Sequence, residues 1–178
     1  MSQIAQIHNL DLARTAAERL AGRTAGLPGM AAMYGPAGYG KTTAALAIAN
    51  ENRSYFVQMR SAWGRKALLE KILLEMGAKP HGTIPQMLDQ VCEQLATSGR
   101  MLMIDEFDYC TRNDGLIELI RDIYEGSQAT LLLLGEEMLP LLEHGRAMED
   151  RDRAAGHDAH RIAAGMAVDA EERMAGHG

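Results

Sequence analysis

A glycine-rich stretch near the start of the chain has the residue types and the spacing to bind phosphate. Residues 35–43 read GPAGYGKTT and match the pattern G-x-x-x-x-G-K-[ST]. Glycines let the backbone curl until successive N–H groups point into one concavity, and a helix that begins near Lys41 adds the positive end of its dipole. We expect Lys41 to contact the β- and γ-phosphates of a nucleoside triphosphate and the Thr42 hydroxyl to coordinate Mg²⁺. The predicted nucleotide-binding residues are Gly35, Pro36, Ala37, Gly38, Tyr39, Gly40, Lys41, Thr42 and Thr43.

An acidic pair farther along the chain could supply the second half of the same chemistry. Residues 101–108 read MLMIDEFD, an apolar strand followed directly by Asp105 and Glu106. In a parallel sheet such residues lie at the carboxyl end of the strand, beside the phosphate loop. We expect Asp105 to hold Mg²⁺ through its water shell, and Glu106 to orient and deprotonate a water for attack on the γ-phosphate. The predicted catalytic residues are therefore Lys41 and Glu106, and the predicted metal ligands are Thr42 and Asp105.

Other features of the sequence indicate which nucleotide is bound and which reaction follows. The chain has no Asn-Lys-x-Asp motif of the kind that recognises guanine, so ATP is the expected nucleotide. A water-activating acid after Asp105 favours hydrolysis over transfer to a small molecule, and the chain has no Arg-rich lid of the kind that kinases use. A small-molecule or nucleotide kinase is therefore a weaker alternative.

Alternating helices and strands are predicted to position these residues. Apolar and β-favouring runs predict strands at Met30–Tyr34, Tyr55–Met59, Met101–Ile104 and Thr130–Leu134. Helical periodicity, glycine stops and a Thr83–Gln86 capping box predict helices at Asp11–Ala21, Thr43–Ala49, Arg65–Met76, 83–96 and Gly115–Glu125. This alternation predicts an α/β fold, a three-layer sandwich whose central, mainly parallel sheet is covered by helices on both faces.

Length and composition bound the class of protein. A chain of 178 residues is expected to form one domain with a substantial core. Cys92 and Cys110 have no metal-ligand spacing, and apolar runs such as Leu131–Leu134 are too short to cross a membrane. The first residues do not have the pattern of a secretion signal. We therefore expect a cytoplasmic protein with no membrane partner.

The composition changes after Glu143. Residues 145–178 contain nine Ala and five Gly but no Leu, no aromatic residue and no Pro. We predict a P-loop ATPase domain with an N-terminal helix over residues 1–144 and an Ala/Gly-rich tail over residues 145–178. The tail is either weakly helical, disordered or altered by a change of reading frame.

The ordered set of motifs resembles a known family. GPAGYGKT and MLMIDE are typical of AAA+ ATPases, and the segments YFVQMRSAWGRKALLEKILLEMG and DEFDYCTRNDGLIELIRDIYEGSQATLLLLGEE are similar to the MuB-like transposition ATPases of transposable phages. The resemblance implies an AAA+-like P-loop NTPase fold, with a C-terminal lid that is absent or degenerate in this chain. It also implies an ATP-dependent DNA-binding protein that selects target sites for transposition and stimulates a transposase. By position, Glu136 would stand where such proteins place a polar sensor, and the arginine finger would lie beyond Glu143.

Charge distribution suggests where partners would bind. The net charge is −6, yet residues 1–100 carry 11 Lys and Arg against 7 Asp and Glu, whereas residues 101–178 carry 7 against 17. Two solvated faces would explain this, as would a basic face for DNA or for the acidic face of a neighbouring subunit. Arg60, Arg65 and Lys66 cluster after the second strand and are the predicted contacts to double-stranded DNA, of low sequence specificity. A solvated helix start is the alternative for this cluster.

The expected partners are double-stranded DNA, a transposase and further copies of this chain in a helical or ring oligomer. Two alternatives share the same nucleotide site. One is a helicase loader of the IstB/DnaC type, which differs in its partner, and the other is a nucleotide-binding module that no longer hydrolyses ATP.

Overall fold

Helices and strands alternate along the chain in the computed structural model, which describes residues 3–24, 29–38, 40–111 and 113–136. The strands are β1 (Met30–Tyr34), β2 (Tyr55–Gln58), β3 (Leu102–Asp105) and β4 (Leu131–Gly135). The helices are α1 (Gln3–Ala21), α2 (Lys41–Asn52), α3 (Arg65–Glu75), α4 (Ile84–Ser98), α5 (Asp108–Thr111) and α6 (Asp114–Ser127). The predicted α/β alternation is confirmed over these ranges.

The four strands form one parallel sheet in the order β1-β4-β3-β2. Leu131 of β4 lies between Met30 of β1 and Leu102 of β3, so β4 separates the first strand from the third. Because all strands run the same way, their carboxyl ends meet at one edge of the sheet. The segments that follow β1, β3 and β4 therefore lie side by side.

Alternate residues of the central strands face two different cores. Leu102 and Ile104 of β3 belong to one buried cluster, whereas Met103 between them belongs to the other. The first cluster contains apolar residues of α3, α4 and α6, and the second contains residues of α1 and α2. A strand buried on both faces needs apolar residues at every position, which explains the uninterrupted runs LMI and LLLL. The predicted three-layer arrangement is thus confirmed.

The two helical layers are built from different side chains. Leu, Ile, Met and Val fill the layer of α3, α4 and α6, whereas α1 and α2 meet mainly through alanines, among them Ala13, Ala17 and Ala45, each 0% exposed. Small side chains let two helices approach closely. Arg14 on α1 reaches across to Glu51 on α2, with the Nη2–Oε1 distance at 2.7 Å.

The structure differs from the sequence expectation at two helices. Helix α1 begins at Gln3 and not at Asp11, and its first turn contains no acidic residue that would mark this earlier start in the sequence. The one-turn helix α5 was not predicted, since four residues are too few for periodicity. The predicted helix from Thr83 is confirmed as α4, and the Thr83 backbone N–H donates to Gln86 Oε1 at 2.8 Å.

The tail over residues 145–178 and the C-terminal lid lie outside the described residues, so the domain boundary stays a prediction. Within the ranges described, no helix combines the length and the apolar character that crossing a bilayer requires.

Candidate functional site

The loop between β1 and α2 has the backbone shape that its glycines predict. Gly38 and Gly40 have φ values of 78° and 80°, in the left-handed region that residues with a Cβ rarely adopt. Helix α2 begins immediately afterwards, and the Gly40 carbonyl accepts the Ala44 N–H at 2.9 Å. Gly35 differs, because its φ is outside that region and a Cβ there would meet nothing within 4 Å. Tyr39 lies outside the described residues.

The Lys41 ammonium group lies over the loop that precedes it. Its Nζ donates to the carbonyl of Gly35 at 2.8 Å and to the carbonyl of Pro36 at 2.9 Å. A lysine ammonium has three donors, so one N–H remains for a further acceptor. These two bonds give Gly35 and Pro36 a specific part in the site, which is to hold the lysine at the mouth of the loop.

A direct hydrogen bond joins the phosphate loop to the acidic pair. Thr42 Oγ1 donates to Asp105 Oδ2 at 2.8 Å, linking the first turn of α2 to the end of β3. Asp105 is only 3% exposed, and its Oδ1 accepts the Glu106 N–H at 2.9 Å. The sequence expectation that these two segments meet is confirmed.

The same two side chains fit a magnesium ion. A hydroxyl and a carboxylate are hard oxygen donors, and Mg²⁺ keeps several waters while binding one or two protein oxygens. Among the described residues, no group of three or more His, Cys, Asp and Glu is arranged to hold a metal ion. Thr42 and Asp105 therefore suit a hydrated Mg²⁺ shared with phosphate, and do not suit a metal held by the protein alone.

Glu106 follows in an unusual backbone conformation. Its φ is 56°, left-handed for a residue that has a Cβ, and its side chain is only partly exposed. Burial raises the pKa of its carboxyl above the ordinary range, and the negative charges of Asp105, Glu136 and Asp108 raise it further, whereas Lys41 lowers it. A carboxyl with a raised pKa is a better proton acceptor once it is ionised.

The end of β4 completes the site and includes a contact that the sequence reading missed. Glu136 follows β4 and is exposed at the same edge of the sheet as Glu106, and its role as a sensor stays a prediction. Its backbone N–H donates to Asp108 Oδ2 at 2.6 Å. The only sequence signal for Asp108 is that it is a third acid in DEFD, and no local pattern connects it to Glu136.

These segments enclose one cleft of about 320 Å³. Its lining consists of Gly38, Gly40, Lys41, Thr42, Thr43, Asp105, Glu106, Gly135 and Glu136. Most of the predicted nucleotide, catalytic and metal residues are therefore brought together, with Gly135 and Glu136 as additions. Ala37 is exposed on the loop and does not line the cleft.

The three predicted DNA contacts lie outside this cleft, Arg60 on the turn after β2 and Arg65 and Lys66 at the start of α3. Arg60, Arg65 and Lys66 are all exposed. Each of these three side chains also lies close to another residue of the protein. The Arg60 guanidinium lies 5.8 Å from the centre of the Trp63 ring, Lys66 Nζ is 3.7 Å from Glu70 Oε1, and the Arg65 stem passes the start of α6 at Gly115.

The segment after β2, residues 59–66, is hydrogen-bonded to the acidic pair at the end of β3. The Met59 N–H donates to the Asp105 carbonyl at 2.9 Å, one residue before Arg60. We call residues 59–66 the basic turn. It starts beside the nucleotide cleft, although its charged side chains do not line it.

Comparison with protein families identifies the family of this chain. A family model described as AAA domain matches residues 25–142, which contain the phosphate loop, the acidic pair and all four strands. No curated protein matches the chain.

Proposed function

The chain belongs to the AAA domain family of P-loop ATPases and has its α/β fold, and from this premise we propose that it binds ATP with Mg²⁺ in the cleft and hydrolyses it to ADP and phosphate. The observation that carries the proposal is the Thr42–Asp105 hydrogen bond, with Lys41 on one side and Glu106 on the other. Loop, metal-binding oxygens and a carboxylate base are the parts that phosphoryl transfer to water requires.

Each residue has a distinct part in this mechanism. The backbone N–H groups around Gly38 and Gly40 bind phosphate oxygens, and Lys41 turns its remaining donor toward them. Thr42 and Asp105 would hold the ion, and bound Mg²⁺ would supply positive charge that offsets the negative charge of the phosphates. Glu106 orients a water and accepts its proton, for which its partly buried position suits it.

Two substitutions separate binding from hydrolysis. Lys41→Ala removes the cation at the phosphates and should weaken ATP binding at least roughly ten- to hundredfold, since a charged hydrogen bond contributes about 1.5–3 kcal/mol. Glu106→Gln keeps the loop and the metal oxygens, so ATP should bind while turnover falls about 10²- to 10⁴-fold. Calorimetric titration and a phosphate-release assay measure the two effects.

The exposed Lys79 on the loop after α3 provides the control for both variants. Lys79→Ala should leave binding and turnover unchanged. Unaltered ATP affinity in Lys41→Ala, or normal turnover in Glu106→Gln, would contradict the proposal.

We further propose that ATP regulates binding to double-stranded DNA, in the manner of the transposition ATPases that the sequence resembles. The support is the exposed basic turn and its bond to the strand end that carries Asp105. Phosphate contacts made by Arg60, Arg65 and Lys66 would be insensitive to sequence and strongly dependent on salt. A transposase that this protein stimulates is the partner expected with it.

The DNA proposal predicts a specific effect of charge removal. Replacing Arg60, Arg65 and Lys66 together with Ala should weaken ATP-dependent DNA retention and reduce the salt slope by about one for each phosphate that is no longer neutralised. The matched control replaces Arg19, Arg100 and Lys79, two arginines and one lysine that are also exposed. Arg100 lies 5.4 Å from the Tyr55 ring centre, so this set also contains an arginine stacked on an aromatic ring. Equal losses in both triple variants would mean that total charge, and not the basic turn, governs retention.

A nucleotide-binding module with little turnover is the second candidate. It is favoured by the carboxylates of Asp105, Glu106 and Glu136, which gather in one cleft and repel a γ-phosphate. ATP binding without any Glu106-dependent phosphate release would support it over the ATPase.

A further inference from the structure

The contact between β3 and β4 continues past the paired residues of the two strands. Their register ends with Ile104 opposite Leu133. Beyond that point the Phe107 N–H donates to the Leu134 carbonyl at 2.7 Å, and the Glu136 N–H donates to Asp108 Oδ2 at 2.6 Å. In a regular strand pair a backbone carbonyl would accept this N–H, whereas here the acceptor is the Asp108 carboxylate. The hydrogen bond therefore joins the segment after β4 to the segment after β3.

The residue before Glu136 leaves the space that this contact needs. A Cβ added to Gly135 would lie 2.8 Å from Asp108 Oδ2 and 3.3 Å from its Cγ. Real Cβ atoms essentially never approach another heavy atom within 3.0 Å, so a side chain at position 135 would displace the carboxylate. Glycine is therefore needed at this position by Asp108 and not by backbone conformation, because the φ of Gly135 is outside the left-handed region.

The two segments joined in this way carry two of the side chains that line the cleft, Glu106 and Glu136. Glu106 lies two residues before Asp108, its carbonyl accepts the Tyr109 N–H of the same turn at 3.1 Å, and it lines the cleft together with Glu136. The left-handed backbone of Glu106 fits this arrangement, since the chain must turn sharply to bring both Phe107 and Asp108 back to β4.

We infer that Asp108 is a positioning residue for the hydrolysis of ATP: through its bond to the Glu136 backbone it fixes Glu106 and Glu136 relative to each other at the cleft. The inference rests on the ATPase function proposed above. Asp108 does not line the cleft, so its effect passes through these two neighbours. Misplacing a catalytic group by about 1 Å can reduce turnover by about a hundredfold.

A purely structural contribution of Asp108 has different consequences. Loss of a hydrogen bond that only stabilises the fold would lower the melting temperature and would weaken ADP and ATP binding alike. Loss of positioning would lower turnover at saturating ATP while the affinity for ADP, which has no γ-phosphate, stays the same. An asparagine side chain could still accept the N–H through its amide oxygen, so Asp108→Asn should recover function where Asp108→Ala does not.

The test uses four variants of the full chain. Asp108→Ala and Gly135→Ala should each lower the turnover number by at least about tenfold, with ADP affinity within about twofold of the parent, and Asp108→Asn should restore most of the turnover. The double variant Asp108→Ala/Gly135→Ala should be no slower than Asp108→Ala alone, because Gly135→Ala acts by displacing a carboxylate that Asp108→Ala already removes, and residues in one interaction give non-additive effects. Gly135→Ala retains the carboxylate, so it tests the inference even if Asp108→Ala folds poorly.

The outcomes separate this inference from the function on which it rests. If the parent shows turnover that Glu106→Gln abolishes, yet Asp108→Ala and Gly135→Ala hydrolyse ATP at the parent rate, the positioning role is wrong and the ATPase stands. Additive losses in the double variant also overturn it. If the parent shows no Glu106-dependent turnover, the ATPase proposal fails and the positioning role fails with it.

Discussion

Glu106 is partly buried and has three acidic neighbours, and these two features influence the pH at which it can act as a base. Burial raises its pKa, and Asp105, Glu136 and Asp108 raise it further. A base with a raised pKa takes up its proton at a higher pH than an ordinary carboxylate. Hydrolysis should therefore decline as the pH falls through that raised value, with an acidic limb displaced toward neutral pH.

Glu136→Gln should move this limb to lower pH. The substitution removes a negative charge that disfavours ionised Glu106, so the pKa falls and the base stays ionised in more acidic solution. The measurement is the turnover number against pH at saturating ATP and Mg²⁺. Glu75→Gln, at an exposed position on α3, is the control and should leave the profile unchanged. A limb that moves to higher pH, or that moves equally in the control, would show that Glu136 does not act on Glu106.

The sequence predicted these residues where they belong to a recognisable motif. The spacing of Lys41 and Thr42 within one loop, and the position of Asp105 after an apolar strand, were enough to predict that they meet. The bond from Glu136 to Asp108 could not be predicted, because it depends on the pairing of β3 with β4 and no sequence motif connects the two residues. The two carbonyls that hold Lys41 also have no signature, since every residue has a carbonyl.

At the scale of elements, the two helical layers differ in how much change they can accept. Helices α1 and α2 pack through alanines, and Ala45 on α2 is 0% exposed. Ala45→Leu inserts a large side chain where two helices are close, so it should destabilise the fold by about 1–3 kcal/mol. That corresponds to a fall in melting temperature of several degrees for a domain of about this size.

The neighbouring residue supplies the comparison. Leu46 is 42% exposed, so Leu46→Ala removes a side chain that is only partly buried and should lower the melting temperature by less than Ala45→Leu does. Thermal unfolding followed by circular dichroism measures both variants. Equal stability of Ala45→Leu and the parent would mean that α1 does not pack on α2 as described.

The pattern of apolar residues in the sequence predicted the helices that bury one face and the strands that bury both faces. Strands β3 and β4 were found because residues on both faces are apolar, and α6 because its buried residues recur at helical spacing. The true start of α1 was missed because its first turn contains no acidic residue. The strand order β1-β4-β3-β2 is a property of tertiary pairing, and nothing in the pattern of any one strand specifies its neighbours.

At the scale of the whole molecule, the negative charge of the cleft leads us to expect that a second copy of the chain supplies a cation to it. Of the described residues that line it, Lys41 is the one cation, whereas Asp105, Glu106 and Glu136 are acids. A cation from an adjacent subunit would offset charge on the γ-phosphate, and such arginines raise turnover by about 10³- to 10⁵-fold in related systems. The positive first part of the chain and the negative second part are compatible with head-to-tail assembly into rings or helical filaments.

Assembly makes turnover depend on concentration. Hydrolysis per subunit should be low in dilute solution and should increase with protein concentration and with added DNA. A dilution series with and without DNA, combined with sedimentation of the same samples, measures activity and oligomeric state together. Vigorous hydrolysis by a monomer, unchanged on dilution, would show that the cleft is complete within one chain.

The strand order has a further consequence, for the way the chain acquires its activity as it is made. Strand β1, which leads into the phosphate loop, pairs with β4, so Met30 must wait for Leu131 before its hydrogen bonds can form. Contacts between such distant segments form slowly, because a long loop must close before any energy is gained. A nascent chain on the ribosome thus carries its phosphate loop long before it can hold that loop in place. We therefore expect affinity for the nucleotide to be acquired late, when the fourth strand enters the sheet, and nucleotide binding at that point would stabilise the completed fold.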